Sequence, residues 1–194
     1  MKPFTKNELM GVVLILAVVV LVSLYNFGIA NRRGRDAERK SDIGSITNGL
    51  NKYNDDFGVY PQASDDGKII ACRGEEIEQL VEDQLVNSFS LAPCEWGKDA
   101  LEDVNDPNFP PYIKTLPTDP KSREGFSYVY LSNAKRFQIL AALEGKGEAE
   151  YDPAIEARGI ACGERVCNFG RSSGQTPLDK SIQEYENELL EESK

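Results

Sequence analysis

The chain has 194 residues, no histidine, and 22 Lys and Arg against 32 Asp and Glu, for a net charge of −10. Binding to a phosphate backbone needs clustered bases, so an acidic chain of this kind excludes nucleic acid as an expected partner. The missing histidine removes the side chain most used as general base and metal ligand at neutral pH.

In chain order, residues 1–8 form a short polar segment, and Leu9 to Ala30 follow as 22 positions whose clearly polar members are Ser23 and Asn26. At about 1.5 Å per helical residue this run is about 33 Å long, enough for a hydrocarbon core of about 30 Å. Asn31-Arg32-Arg33-Gly34-Arg35 closes it where a secretory signal would offer small residues for cleavage, so retention as a membrane anchor is expected. Residues 1–30 hold Lys2, Lys6 and Glu8, which leaves 20 bases and 31 acids on the remaining 164 residues, a length that suits one head. The bases between Arg32 and Lys40, interrupted by Asp36 and Glu38, are expected to snorkel at the lipid headgroups. Counted alone they would place the head in the cytoplasm, whereas four cysteines, all beyond the span, suit an oxidising compartment.

Ile43, Ile46, Leu50, Tyr53 and Phe57 then recur at spacings of three and four, which predicts an amphipathic outer half, residues 31–58, continuous with the span. No proline stands between Phe4 and Tyr60, and Asp55-Asp56-Phe57-Gly58 and Pro61 end the run, so one helix of about fifty residues is expected. Its glycines at 28, 34, 44 and 49 each cost about 1 kcal/mol relative to Ala, which requires packing on the head to hold the outer half.

Residues 59–194 form the expected head. Ile77, Leu80, Val81 and Leu85 within Glu75–Asn87 predict a short helix between Cys72 and Cys94. The prolines at 107, 110, 111, 117 and 120 predict a loop from Gly97 to Pro120. Phe126, Tyr128 and Tyr130 alternate, Ser132-Asn133-Ala134 makes a turn, and Phe137, Ile139, Ala141 and Leu143 alternate again: a hairpin with one buried face. Thr176, Pro177 and Asp179 have the form of a helix start, ahead of a strongly acidic C-terminal helix carrying Leu178, Ile182, Tyr185 and Leu189.

Cys72, Cys94, Cys162 and Cys167 allow three pairings that sequence leaves open, with the local pairs Cys72–Cys94 and Cys162–Cys167 favoured. Zinc is the rival use of these thiols, but there is no Cys-x-x-Cys knuckle, and four thiolates would have to converge from distant segments. Ser64-Asp65-Asp66-Gly67 and Asn105-Asp106 lack the spaced ligand series of a calcium loop and read as turns. No nucleophile elbow or glycine-rich phosphate loop is present, so neither enzyme activity nor a cofactor or metal is expected.

Phe4-Thr5-x-x-Glu8-Leu9 before the long apolar run, Arg35-Asp36-Ala37-Glu38-Arg39-Lys40-Ser41-Asp42-Ile43, and Tyr53-Asn54-Asp55-Asp56-Phe57-Gly58-Val59-Tyr60-Pro61 together resemble the type IV pilins and type II secretion pseudopilins. Tyr112-Ile113-Lys114-Thr115-Leu116-Pro117-Thr118-Asp119-Pro120, the Tyr128-Val129-Tyr130 strand, and Cys167 leading to Gly174-Gln175-Thr176-Pro177 are more loosely similar to pilin-like heads. The resemblance implies an α+β fold, a long helix packed on a small antiparallel sheet. It also implies a head outside the cytoplasmic membrane and assembly with like or related subunits into a filament, through a prepilin peptidase and an inner-membrane assembly platform. In such proteins the acid matching Glu8 faces the amino group of the mature phenylalanine, here Phe4, on a neighbour, which suits a carboxylate that is costly at the edge of hydrocarbon. The chain departs from the family at the processing junction: Pro3 stands in place of glycine, and Lys6-Asn7 replace apolar residues. A rigid Pro3 lacks the small, flexible character that approach to an intramembrane protease needs, which leaves cleavage and N-methylation at Pro3–Phe4 open. Uncut, a neighbouring Glu8 would meet the Met1 amine or Lys2, and the alternative is a membrane-tethered extracellular binding module that does not polymerise.

Overall fold

Thr5 accepts a hydrogen bond from the Glu8 N–H and starts α1, Lys6–Phe57, a single helix of 52 residues. It ends where Gly58, at φ 71°, takes the left-handed cap and donates its N–H to the Asn54 carbonyl. The computed structural model describes residues 5–81 and 84–193, with 79–81 and 84–86 described by backbone alone.

The fold is α+β. Among the described residues three antiparallel sheets follow the helix: β1 (Gln62–Ala63), β2 (Ile69–Val81) and β3 (Gln84–Pro93); β4 (Val129–Ser132), β5 (Phe137–Ala141) and β8 (Phe169–Ser172); and the two-residue strands β6 (Ala161–Cys162) and β7 (Arg165–Val166). Short helix α2 (Pro153–Ala157) and C-terminal helix α3 (Ile182–Glu192) complete the chain. The outer half of α1 lies on β5 and β8, where Ile43, Ile46 and Leu50 are fully buried among Tyr128, Tyr130, Phe137 and Ile139. Burial of each such aliphatic side chain contributes about 1.5–3 kcal/mol, which holds the glycine-bearing helix to the head. At Gly49 a side chain would run into Ile113, so the residue weakest in helix propensity marks a close approach of the 97–120 loop.

The hairpin at β4 and β5 turns through Asn133-Ala134, but it does not have the single buried face expected of it. Every residue of β5 is buried, because Leu140, Ala142 and Val129 pack away from α1 against Ile155, Cys162 and Cys167. Phe126 sits outside the paired strands and bridges Gly163 instead.

The short helix expected over Glu75–Asn87 is absent; β2 and β3 form a two-stranded ribbon there, pairing Ile77 with Ser88 and Glu78 with Asn87. At its base the Cys72–Cys94 disulfide holds the two Cα atoms 5.1 Å apart. Ile77, Leu80, Val81 and Leu85 have the spacing of a helical face, but the backbone of this stretch is extended and paired across the ribbon, which takes the hydrogen bonds a helix would need.

The expected start of the last helix at Thr176 is also corrected. Gln138 donates its side-chain amide to the Pro177 and Lys180 carbonyls, and Arg158 donates to the Leu178 carbonyl at 2.6 Å, which takes these groups away from helical bonding. The cap falls at Ser181, whose side chain accepts from the Glu184 N–H while Glu184 accepts from the Ser181 N–H. Arg136 then pins α3 through Glu186 at 2.6 Å and the Tyr185 ring at 5.0 Å.

The second disulfide, Cys162–Cys167, closes a loop in which Gly163 has φ 72° and its Cα faces the Gly125 carbonyl. A side chain at 163 would meet that carbonyl in a backbone conformation that L-residues avoid. Gly163→Ala is expected to destabilise the head by about 1–3 kcal/mol, read as a lower denaturant midpoint for the full-length protein in detergent.

Candidate functional site

Two places on α1 carry chemistry: its amino-terminal cap and the junction with the head. At the cap, Glu8 Oε2 accepts the Thr5 N–H at 2.8 Å while Thr5 Oγ1 accepts the Glu8 N–H at 3.4 Å. This reciprocal capping box engages the Glu8 carboxylate within its own chain. Pro3 and Phe4 lie outside the described residues, so the processing junction and the pairing of Phe4 with Glu8 do too. Beyond the cap, the large apolar side chains from Leu9 to Phe27 are 45% to 73% exposed. An apolar surface of that length on an isolated helix is long and greasy enough to cross a membrane.

The junction is built around Arg39, which is fully buried. Its Nε and Nη2 donate to the two Asp119 oxygens at 2.7 and 2.9 Å, and its Nη1 donates to Asp36 and to Glu144, each at 2.9 Å. Asp36, also fully buried, accepts the backbone N–H groups of Glu144 and Gly145 at 2.8 and 3.1 Å. Arg35 clamps Glu144 in a second two-bond pair at 2.6 and 2.7 Å, and the Phe126 ring covers the Arg39 guanidinium at 5.2 Å. The helix periodicity explains the convergence: Arg32, Arg35 and Arg39 succeed one another at steps of three and four, and Asp36 stands four residues after Arg32 and three before Arg39, on the face that continues into Ile43 and Ile46.

Around this hub, Lys40 reaches Glu148 and Glu150 at 3.1 and 2.9 Å, and Arg32 stands 3.6 Å from Glu148. The bases expected to snorkel at lipid headgroups are, for Arg32, Arg35, Arg39 and Lys40, consumed by carboxylates of the 144–150 loop and by Asp119. Sequence reading missed these partners, which lie 80 or more residues away; the one local signal was Asp36 three residues before Arg39.

The electrostatics are mutual. Burial opposes the Arg39 charge, but its hydrogen bonds to Asp119 and Glu144 outweigh it and raise its pKa above the ordinary arginine value. Hydrogen bonds from Arg35, and then from Arg39, hold the Glu144 carboxyl down at about 2 against the opposing effect of burial. The arrangement joins two parts of the chain; each buried carboxylate is occupied by a guanidinium or a backbone N–H.

The four cysteines form two disulfides and none is free. Among the described residues no group of three His, Cys, Asp or Glu side chains is placed to hold a metal. Ser64-Asp65-Asp66-Gly67 is a turn, in which Ser64 donates to Asp66 at 2.6 Å and accepts the Lys68 N–H at 2.8 Å. Asn105 accepts the Phe89 N–H at 3.3 Å. Compared with protein-family models, curated proteins and solved structures, the chain finds no match.

Removing Arg39 would leave Asp36 and Asp119 buried without their cation. Arg39→Ala is therefore expected to cost about 3–5 kcal/mol, measured by chemical denaturation of the full-length protein in detergent. Glu144 gives the pH dependence its sign: a carboxyl depressed in the fold contributes stability that is complete above its unfolded value of 4.5 and lost as pH falls towards about 2. Over that window the loss is expected to be about 2–3 kcal/mol in the wild type and to flatten in Glu144→Gln, when unfolding is followed as a function of pH.

Proposed function

We propose that this chain is a structural subunit of a filament of the type IV pilus or type II secretion pseudopilus kind, held in the cytoplasmic membrane before assembly with its head outside. One observation carries the reading: a single 52-residue helix is apolar and bare over its first half and packed on an α+β head over its second. In water the bare half has no partner, and in a bilayer or a bundle of like helices it does. The pilin-like residues from Phe4 to Pro61 and the two disulfides support the same reading, the latter because such bonds persist in oxidising compartments. Its partners would be like or related subunits and lipid, with a prepilin peptidase and an inner-membrane platform acting on it, and no catalysis is proposed for it.

The capping box at Thr5 and Glu8 favours a second reading, since a carboxylate already bound to its own chain needs no neighbour. On that reading the protein is a tethered extracellular module that does not polymerise.

Two measurements separate these. Protease added to intact spheroplasts is expected to remove the head, and protection of the head with freely alkylated cysteines would end the topology. In sheared filament fractions the wild type is expected to be present and Glu8→Ala depleted by about tenfold or more, a loss of about 1.4 kcal/mol per subunit contact. Equal incorporation of the two removes the register role of Glu8, and absence of the wild type from any filament favours the tethered module.

A further inference from the structure

The end of α1 far from the apolar span carries a cluster of four aromatic rings. Tyr53 lies 4.4 Å from Phe57 and 5.6 Å from Tyr112, and Phe109 lies 5.6 Å from Tyr112, between ring centres. Phe57 and Phe109 are 42% and 40% exposed, and Val59 and Leu91 extend the apolar surface at 48% and 49%. Two depressions open on it: one of about 360 Å³ over Phe109, Pro111 and Tyr112, the other of about 200 Å³ over Tyr53, Phe57 and Leu91.

Carboxylates rim both. Asp55 and Asp56 line the first, Glu102 and Asp103 the second, and Lys52 is the one base lining either. Among the described residues none of these four acids is in an ion pair, in contrast to Asp36, Asp119, Glu144, Glu148 and Glu150 at the helix–head junction. Asp56 accepts the Tyr112 hydroxyl at 2.8 Å, and Asp103 accepts the Asn105 N–H at 2.9 Å. The nearby Arg73 guanidinium, 4.2 Å over the Phe89 ring at the edge of the second depression, donates to the Val104 carbonyl and not to these acids. Burial first, then the negative charge of Asp103, pushes the Tyr53 hydroxyl above its ordinary value, so the field of that acid reaches the ring cluster.

The helix adds to the same field. The last turn of α1 contains Asp55 and Asp56 and no base, at the end where the helix dipole is negative and cations are favoured. The faces of Phe and Tyr rings are negative as well and attract cations. Three independent sources of negative potential, carboxylates, helix end and ring faces, thus converge on one exposed apolar surface.

We infer that this pole is a docking surface for a basic segment of a partner protein, whose Lys or Arg stems lie on the rings while their charged heads meet the carboxylates. A neutral sugar could stack on the rings but would leave the carboxylates uncompensated. A second copy of this chain is a poor occupant, because most of its basic collar is already bound to its own 144–150 loop. This inference goes beyond the filament reading and does not depend on it.

The test uses the full-length chain in phosphatidylcholine nanodiscs, where it is unassembled, and a fluorescein-labelled peptide of three Arg-Leu repeats followed by anisotropy. The peptide is expected to bind, to weaken as salt is raised, and to lose at least about tenfold in affinity, about 1.4 kcal/mol, in Phe109→Ser combined with Asp55→Asn. Asp55→Asn alone is expected to keep or raise the thermal midpoint, since it removes an acid from the negative helix end, and this distinguishes lost binding from lost folding. Glu191→Gln with Glu192→Gln, which removes two acids from α3, is expected to leave affinity unchanged. Four outcomes each overturn the assignment: no binding, equal loss in the α3 variant, equal binding of a Glu-Leu repeat peptide, or binding of cellohexaose in place of the basic peptide.

Discussion

A fully buried guanidinium, Arg39, joins the helix to the head, and the rest of the structure depends on it. The charge is costly to desolvate, and removal of either side would leave the other stranded, so the junction is stable only when complete. Completion requires Asp36 from the same helix, Asp119 from the end of the proline-rich loop, and Glu144 from the segment after β5. Two separate stretches of chain, at Asp119 and at Glu144, are thereby fixed to one turn of α1. The apolar stripe from Ile43 to Tyr53 supplies most of the attraction, but an apolar stripe tolerates sliding and rotation, whereas two-bond ion pairs to Asp119 and Glu144 do not.

Polarity along α1 is graded in four zones, and each has a different solvent. Leu9–Phe27 is bare and apolar, Arg32–Lys40 is charged and matched by head carboxylates, Ile43–Tyr53 is buried against the sheet, and Asp55–Phe57 returns to the surface as an acidic, aromatic end. Matching of the basic collar is what lets a head this acidic sit next to a helix segment with five bases between Arg32 and Lys40.

Much of this was legible in the sequence, for identifiable reasons. The long helix announced itself through spacing and the absence of proline, and β4 and β5 through aromatic and aliphatic alternation with a turn between. The ribbon at β2 and β3 was misread because Ile77, Leu80, Val81 and Leu85 fit a helical face, Glu and Gln are good helix formers, and cross-strand pairing leaves no mark on a single strand. The junction was illegible for a different reason: sequence shows Arg32 to Lys40 as a basic patch beside a membrane, and the acids that bind it come from positions 119 and 144–150. Likewise Glu8 was read for its solvation cost, while Thr5, three residues before it, carried the capping signal unnoticed.

An unbroken helix also transmits orientation. Each residue turns the chain by about 100°, so once Arg39 and Ile43 face the head, the azimuth of every position below them is set. Following the same face down by turns of about 3.6 residues leads from Arg32 to Tyr25, Leu21, Val18 and Leu14. Those side chains lie on the line beneath the head, and the opposite line is turned outward. Which side of the apolar stretch lies beneath the head and which is turned away from it is therefore decided by a salt bridge outside that stretch, not by the nearly uniform aliphatic residues within it.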